Sequence, residues 1–372
     1  MYVEQLELKQ FRNIEHLKLD CSGELHMFVG PNAQGKTNIL ESLYVLAIGK
    51  SHRTRSHREL IRWEQTVASL KAEVSGKESA RRLEIRLTPR GKRVLRNGVE
   101  QRRLSEYIGS LTAVLFAPED LSIVKGSPQV RRRFLDMEIG QVSPTYIYHL
   151  TRYNQLLQQR NSLLKELGKG WGKQTALLDV LNEQLIGLST HLWSKRFSFV
   201  NLLSRWAQEI HYSITQGSES LTLQYQSLAS VEPGMDRSSM EEVLTQELMK
   251  VREQEMQRGT TLIGPHRDDL RIAANGTDLH TFGSQGQQRT AALSLKLAEI
   301  ELIHQETGTY PILLLDDVLS ELDDGRKTHL LEAIRGRVQT FVTTTGLEGI
   351  DRETLDRARI RWVHQGSISE QG

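Results

Sequence analysis

The chain has 372 residues, and its 48 lysine and arginine residues nearly balance its 46 aspartate and glutamate residues. A charged fraction of 25% and a hydrophobic fraction of 38% exclude disordered and low-complexity classes. The single cysteine, Cys21, excludes an intrachain disulfide and a cysteine-ligated zinc site. The N-terminal segment has no apolar signal core, and no apolar run approaches ~20 residues, so we expect a cytoplasmic protein without a membrane partner.

The first part of the chain predicts strands around one helix. Alternating apolar runs predict strands at residues 3–11, 16–20, 24–30 and 111–116. The third run enters a glycine-rich turn, and an apolar helix follows it. Residues 67–99 alternate again, with turn signals at Arg90-Gly91 and Asn97-Gly98, and this pattern predicts an arginine-rich β-meander.

Positive charge is concentrated around this meander. Residues 50–133 hold 20 Lys and Arg against 9 Asp and Glu, a local excess of +11, and the densest piece is 81–98. Such an excess is typical of proteins that bind phosphate backbones. A solvated strand face rich in arginine is the alternative.

The middle of the chain is helical. Apolar spacings of 3 and 4 predict helices from about residue 128 to 212, and the loop at 168–174 predicts an antiparallel pair. Another helix follows, opened by a capping box at Ser239 and Glu242. Strand patterns return at 260–264 and 269–276, and later at 311–317 and 339–345. We therefore predict an α/β domain formed by residues 1–118 and 260–372, interrupted by a mainly helical insertion at 119–259.

A phosphate-binding motif lies between the third strand and its helix. The pattern G-x-x-x-x-G-K-T comprises Gly30, Pro31, Asn32, Ala33, Gln34, Gly35, Lys36 and Thr37. Glycines let backbone N–H groups turn towards phosphates, and the helix N-terminus adds a positive field. Lys36 is expected to reach the β- and γ-phosphates, while the Thr37 hydroxyl ligates Mg²⁺. The motif predicts a nucleotide-binding site.

Two carboxylates follow the apolar strand 312–315. Asp316 is the predicted second metal-orienting group, and Asp317 is placed to polarise an attacking water. A helix cap is the ordinary alternative for one acid at a strand end, but two acids downstream of a P-loop favour catalysis.

A second anion site is indicated at residues 282–289. Ser284 and Gly286 open a long helix, where a hydroxyl and free N–H groups favour negative charge. Because one chain does not need two γ-phosphate sites, these residues are expected to contact nucleotide bound to another subunit. A plain Gly/Ser helix cap is the alternative.

The order of P-loop, S-x-G-Q, strand-Asp-Asp and S-E-L-D is that of ABC-type ATPases. Long segments narrow the resemblance: GPNAQGKTNILESLY, GKSHRT, FAPEDLSIVKGSPQVRRRFLD, TLIGPHRDDL, FGSQGQQRT and LLLDDVLSELD. Together they resemble the RecF family of bacterial DNA replication and repair ATPases, which is related to SMC and Rad50. The likeness runs from Met1 to about Thr345. It implies an ABC-type ATPase head with an inserted helical domain.

The resemblance also implies a function. Such proteins form an ATP-dependent homodimer around two nucleotides, bind single-stranded, gapped or double-stranded DNA at the nucleoid, and load recombinase with RecR and RecO-like partners. They act in replication, gap repair and SOS induction.

The resemblance also implies which residues of this chain bind ATP and Mg²⁺: those of the P-loop, and further residues that match the family's motifs by position. Asn38 extends the P-loop, and Gln287 joins Ser284 and Gly286 in the signature. The catalytic group comprises Lys36, Ser284 and Asp317. Asp323 matches a dimer-contacting loop, and Arg12 matches an arginine that reaches nucleotide.

Departures from the broader ABC pattern predict slow hydrolysis. Gln285 stands where the signature L-S-G-G-Q has its first glycine, and the base position carries Asp317 instead of glutamate. The strand at 339–345 ends in threonines, including Thr343, where many relatives have a γ-phosphate-sensing histidine. A switch-like ATPase fits these differences better than a motor.

Other residues allow more than one interpretation. His266 in GPHRDD is interpreted as part of a structural turn or a nucleotide-state sensor, since no second histidine lies at metal-ligand spacing. The run Arg131–Arg133 either binds DNA or pairs with acids. A transporter ATPase subunit and a P-loop phosphotransferase are the competing functions. The helical insertion and basic segment argue against the first, and the signature segment against the second.

Overall fold

The structure is a computed structural model that describes residues 1–76, 80–169, 175–321, 327, 330 and 334–369. Its strands are β1 (Tyr2–Phe11), β2 (Ile14–Asp20), β3 (Leu25–Val29), β4 (Ala68–Ser75), β5 (Arg81–Thr88), β6 (Gly91–Arg96), β7 (Val99–Glu100), β8 (Ala113–Phe116), β9 (Leu221–Gln226), β10 (Asp269–Ala274), β11 (Thr277–Asp278), β12 (Ile312–Asp316), β13 (Thr340–Thr344), β14 (Ala358–His364) and β15 (Ser367–Ser369). Its α-helices of known bounds are α1 (Lys36–Ile48), α2 (His57–Leu60), α3 (Leu104–Tyr107), α4 (Leu121–Lys125), α5 (Pro128–Val142), α6 (Pro144–Gly168), α7 (Thr175–Ile214), α8 (Arg237–Arg258), α9 (Leu279–Phe282), α10 (Gln285–Thr307) and α11 (Arg352–Arg357). Two 3₁₀ turns lie at Pro118–Asp120 and Val318–Glu321.

The chain divides into two compact units. The first is formed by Met1–Asp120 and Leu293–Gly372, and the second by Leu121–Ala292. The predicted start of the insertion at residue 119 lies within two residues of this division. The predicted return at residue 260 does not, because β10 pairs with β9 and keeps residues 269–274 in the second unit. None of the helices that the structure describes is long and apolar enough to cross a membrane.

A mainly parallel sheet organises the first unit. Its strand order is β15-β14-β3-β13-β12-β8, and only β15 runs antiparallel to its neighbour. All residues of β12 and β13 are buried, which suits strands covered on both faces. Because β3, β12 and β13 are parallel, the segments that follow them meet at one edge of the sheet. Helix α1 packs against β8, β12 and β13.

A second, antiparallel sheet of the first unit has the order β2-β1-β4-β5-β6-β7. Along β5, Leu83, Ile85 and Leu87 are buried while Arg82 and Arg86 are exposed. Asn97 and Gly98 join β6 to β7 with φ of 53° and 80°, which confirms the predicted hairpin turn. The β5–β6 turn is Pro89-Arg90, one residue earlier than the predicted pair.

The second unit consists of helices and a three-stranded sheet, β11-β10-β9. Helices α6 and α7 are antiparallel, since Arg160 bonds to Asn182 while Tyr146 bonds to Arg196. Most of the predicted loop between them, 170–174, lies outside the described residues. Leu163, Leu164 and Leu178 form a buried apolar cluster between these helices.

Two local predictions in this unit are wrong. Residues 260–264 are not a strand, because their backbone bonds to side chains: Thr261 N–H donates to Asn161 Oδ1, and Leu262 N–H to Glu255 Oε1. Helix α8 begins earlier than predicted. Its N-cap is Asp236, whose carboxylate accepts the N–H of Ser239, so Ser239 lies inside the helix.

Candidate nucleotide-binding site

The P-loop joins β3 to α1 and depends on positive φ angles. Gly30, Ala33 and Gly35 have φ of 157°, 66° and 107°. A Cβ atom at Gly35 would lie 2.7 Å from Asn13 Nδ2, and one at Gly30 would lie 2.5 Å from the Val363 carbonyl oxygen. Glycine is therefore required at both positions by the backbone angle and by the close neighbours.

Lys36 lies over the loop that precedes it. Its ammonium group donates to the carbonyl oxygens of Gly30 at 2.5 Å and Pro31 at 2.8 Å. Burial lowers the pKa of Lys36, while Asp317 and Asp316 act in the opposite direction. These two carboxylates favour the charged form, and the carbonyl contacts hold the ammonium at the phosphate-binding loop.

Thr37 and Asp316 are brought together, although 278 residues separate them in the chain. The Thr37 hydroxyl donates to Asp316 Oδ1 at 2.8 Å, and the Asp316 side chain is 7% exposed. A hydroxyl and a carboxylate are hard oxygen donors of the kind that Mg²⁺ prefers. The pair therefore fits the predicted metal site beside the P-loop.

Thr343, at the end of β13, connects both aspartates. Its hydroxyl donates to Asp316 Oδ1 at 2.8 Å and accepts the backbone N–H of Asp317 at 2.9 Å. Asp317 has φ of 54°, an uncommon angle for a residue with a Cβ atom. From the sequence, Thr343 is noted only because it lies where many relatives have a histidine. The sequence feature that could have predicted its contact with the two aspartates is a hydroxyl residue near the carboxyl end of the neighbouring parallel strand.

Arg12 lies near the P-loop helix and is held by a buried carboxylate. It donates to Glu41 through Nε at 2.9 Å and Nη2 at 2.7 Å, and to the Glu59 carbonyl at 2.9 Å. Burial would raise the pKa of Glu41, but hydrogen bonds from Arg12 and Ser51 hold it below its ordinary value. Sequence reasoning missed Glu41, whose position within the apolar face of α1 was the available signal.

An amide chain links the residue after Arg12 to the P-loop. Asn38 Nδ2 donates to Asn13 Oδ1 at 2.8 Å, and Asn13 Nδ2 donates to the Gln34 carbonyl at 3.2 Å. Gln34 also accepts from the N–H groups of Gln365 and Gly366. Among the predicted ligands, Asn32 and Gln34 are exposed or half-buried at the loop surface.

The signature segment opens α10 in the second unit. Ser284 Oγ accepts the Gln287 N–H at 3.2 Å, and Gln287 Oε1 accepts the Ser284 N–H at 3.0 Å. This reciprocal pair is a capping box. Ser284, Gln285 and Gly286 are exposed. The predicted dimer-loop residue Asp323 lies outside the described residues.

The GPHRDD segment, Arg131 and Arg132 make hydrogen bonds within the second unit. The Thr261 carbonyl bonds to His266 Nε2 at 3.2 Å, while Tyr153 Oη lies 2.6 Å from Nδ1. Arg131 makes a two-bonded pair with Asp269, and Arg132 donates to the Asp268 carbonyl. Among the described residues, no group of three or more His, Cys, Asp and Glu side chains is arranged to hold a metal ion. The two bonds from Arg131 to Asp269 confirm the acid-pairing interpretation of Arg131.

Comparisons with known proteins place this chain in a family. The family model described as "RecF/RecN/SMC N terminal domain" matches residues 2–357. The DNA replication and repair protein RecF of Lysinibacillus sphaericus is 52% identical over 371 residues, covering 100% of both chains. The chain belongs to the RecF family of DNA replication and repair proteins. The RecF of Halalkalibacterium halodurans is likewise 52% identical, over 372 residues and all of both chains.

Solved structures agree with this assignment. A structure described as the recombination mediator protein RecF-ATP in the RecFOR pathway has a TM-score of 0.93 and 32% identity, covering 100% of this chain and 98% of that one. An Smc head bound to a ScpA domain has a TM-score of 0.55 at 18% identity, covering 99% and 96%, and shows a related fold. The predicted ABC-type ATPase head with mixed α/β content is confirmed, and the transporter and phosphotransferase alternatives lose their support.

Proposed function

We propose that this RecF-family chain is a slow, switch-like, DNA-dependent ATPase that uses ATP and Mg²⁺. The observation that carries this proposal is the hydrogen bond from Thr37, the last residue of the P-loop, to Asp316. A P-loop that only binds phosphate does not require a carboxylate at this position. Two oxygen donors at 2.8 Å beside a buried lysine are suited to a metal-bound triphosphate.

Each residue of this site has a separate proposed task. Lys36 re-aims its ammonium group from the loop carbonyls to phosphate oxygens, and Thr37 and Asp316 are the residues that would hold Mg²⁺. Asp317 accepts a hydrogen bond from the attacking water. When bound there, Mg²⁺ would supply positive charge for the phosphate groups. The shorter side chain of Asp317 and the absence of a sensing histidine favour a low rate.

Dimerisation supplies the second half of each site in this proposal. Ser284, Gly286 and Gln287 are expected to meet the γ-phosphate held by a partner copy. The capping box supports this role because it fixes the loop without covering it, and Ser284 and Gly286 are exposed. The positive end of α10 gives this surface the polarity needed for an anion.

The proposed substrate context is damaged or replicating DNA. The family name supports replication and repair, and the solved relative described as a recombination mediator of the RecFOR pathway supports RecO- and RecR-like partners. We propose that the chain binds single-stranded, gapped or double-stranded DNA at the nucleoid, in the cytoplasm. There it helps load recombinase at gaps and supports SOS induction.

The test is the rate of ATP hydrolysis with and without DNA, in wild type and in Asp316→Asn. We expect a low basal rate that gapped DNA increases, and little hydrolysis at any DNA concentration in the variant. ATP binding without metal should persist in Asp316→Asn. A wild-type rate in that variant would contradict the assigned metal site.

A further inference from the structure

Trp63 is an exposed aromatic side chain in the basic part of the first unit. Its side chain is 89% exposed, the largest value among the exposed large hydrophobic residues that the structure describes. Tryptophan is ordinarily buried for most of its surface because its ring is large and apolar. A single exposed apolar residue is common on protein surfaces and does not by itself indicate a binding site. The residues around Trp63 must therefore supply the evidence for one.

The turn that carries Trp63 is fixed to the protein core. The Gln65 N–H donates to the Arg62 carbonyl at 3.1 Å, which closes a turn with Trp63 and Glu64 at its centre. Leu60 and Ile61 before it are buried, and Ile61 forms a bridge with Phe11. The tryptophan is thus presented on a rigid support.

The same turn holds an unfavourable backbone angle. Glu64 has φ of 65° without being glycine. Arg58 donates to the Gln65 carbonyl at 2.5 Å, which braces the turn from one side. On the other side, the Arg62 N–H donates to the Gln10 carbonyl at 2.9 Å. A strained turn that is held by several bonds keeps the indole ring in solvent.

Part of the positive charge in the chain segment before Trp63 is more available than the positive charge of the β-meander. Three arginines of the β-meander pair with carboxylates: Arg82 with Glu73, Arg86 with Glu84 and Arg93 with Glu100. In the segment before Trp63, Lys50, Arg55 and Arg58 are exposed and make no ion pair with a described carboxylate, whereas Arg53 pairs with Glu41 and Arg62 with Glu15. This segment therefore offers the stronger attraction for phosphate groups.

We propose that Trp63 and the exposed cations Lys50, Arg55 and Arg58 form a binding site for single-stranded DNA, in which the indole ring stacks on an unpaired base. The inference rests on the proposed DNA binding and deepens it by naming the site. Stacking requires a free base face, which single strands and gaps offer and an intact duplex does not. Exposed cations next to an aromatic ring are the combination used by single-strand binding surfaces.

The test compares DNA affinities by fluorescence anisotropy, in the presence of ATP at one salt concentration. A labelled single strand and a blunt duplex of the same length are the probes. For Trp63→Ala we expect single-strand affinity to fall about 5- to 150-fold, with duplex affinity within about twofold of wild type. Trp63→Phe should recover most of the loss, since a smaller ring still stacks.

Three controls distinguish base stacking by Trp63 from a charge effect and from a protein–protein contact. Tyr212→Ala, which removes a 59% exposed aromatic residue in the second unit, should leave both affinities unchanged. Trp63→Ala should keep the salt dependence of wild type, because stacking releases no counterions, whereas Arg55→Ala should flatten the slope by about 0.7. Unchanged DNA-free, ATP-dependent dimerisation in Trp63→Ala would support a DNA contact.

Several results would overturn the inference. These are an unchanged single-strand affinity in Trp63→Ala, an equal loss on single strand and duplex, or a loss of dimerisation without DNA, which would make Trp63 a protein contact. Failure of the wild type to bind any DNA would instead contradict the proposed function itself. The two failures are therefore distinguishable in one series of measurements.

Discussion

The hydroxyl of Thr343 accepts the backbone N–H of Asp317 at 2.9 Å while it donates to Asp316 at 2.8 Å. One side chain thus fixes both carboxylates proposed to handle metal and water. Because Asp317 is held at φ of 54°, loss of this bond should let its backbone relax and its carboxylate move. Thr343 is therefore a positioning residue.

Thr343→Val should lower ATP hydrolysis at least about tenfold, since small displacements of a catalytic group are costly. Affinity for ATP should change little, because Lys36 and the P-loop remain in place. Loss of the buried hydrogen bonds should also reduce the free energy of unfolding by roughly 1–3 kcal/mol. Thr343→Ser, which keeps the hydroxyl, is the matched control. Equal hydrolysis by the valine and serine variants would refute the positioning role.

Lys36→Arg should reduce hydrolysis by roughly 100-fold, while the free energy of unfolding changes much less. The buried ammonium fits between the Gly30 and Pro31 carbonyls, and a wide planar guanidinium does not occupy the same space. Hydrolysis rates and urea unfolding of the same preparation separate the two effects. Retained wild-type turnover would refute the P-loop assignment.

The sequence predicts the residues of the candidate nucleotide site better than it predicts the long-range contacts and helix caps of the second unit. The G-x-x-x-x-G-K-T pattern and the acids after residues 312–315 identify Thr37 and Asp316, and parallel strands bring them together. The pairing of Arg131 with Asp269 spans 138 residues and leaves no local pattern. The wrong cap at Ser239 arose because Asp236, three residues earlier, competes for the same position. Residues 269–274 belong to the second unit because of the long-range pairing of β9 with β10, which leaves no local pattern in the sequence.

His266 should make stability depend on pH. Burial lowers its pKa to about 4, below the 6.5 of an exposed histidine, so the unfolded chain binds more protons between these values. Stability from the neutral ring is fully present above pH 6.5 and is lost as pH falls towards 4. The Thr261 carbonyl can only accept, so Nε2 carries the hydrogen and Nδ1 accepts from Tyr153.

His266→Gln should remove this contribution, roughly 2 kcal/mol between pH 7 and pH 4.5, because glutamine does not titrate. Urea unfolding of both proteins across that range is the measurement, with pH 7 as the internal reference. An identical pH dependence in the two proteins would show that His266 does not titrate as its surroundings require.

DNA affinity should fall steeply as salt rises, because the +11 excess of residues 50–133 displaces counterions from phosphates. The logarithm of affinity plotted against the logarithm of salt concentration gives the slope. Arg82, Arg86 and Arg93 are paired with carboxylates. Replacing any of the three by alanine should therefore change the slope less than Arg55→Ala does. A flat slope for wild type would move the DNA contact away from residues 50–133.

In the proposed function, ATP joins two copies of the chain through the signature segment. Ser284→Arg should prevent this dimer while leaving nucleotide binding by the monomer nearly intact, because a bulky side chain blocks close approach. Ser284→Ala loses the same helix cap, worth about 1 kcal/mol, without adding bulk, and is the matched control. Asp317→Asn should do the reverse and lengthen the lifetime of the dimer, since the water is no longer activated.

Light scattering of the wild type with ATP, with and without DNA, measures this dimerisation. We predict a rise from the monomer mass to twice that mass when ATP is added, a rise that Ser284→Arg abolishes. A wild type that stays monomeric in every nucleotide state, or a Ser284→Arg variant that dimerises normally, would contradict ATP-driven dimerisation through the signature segment.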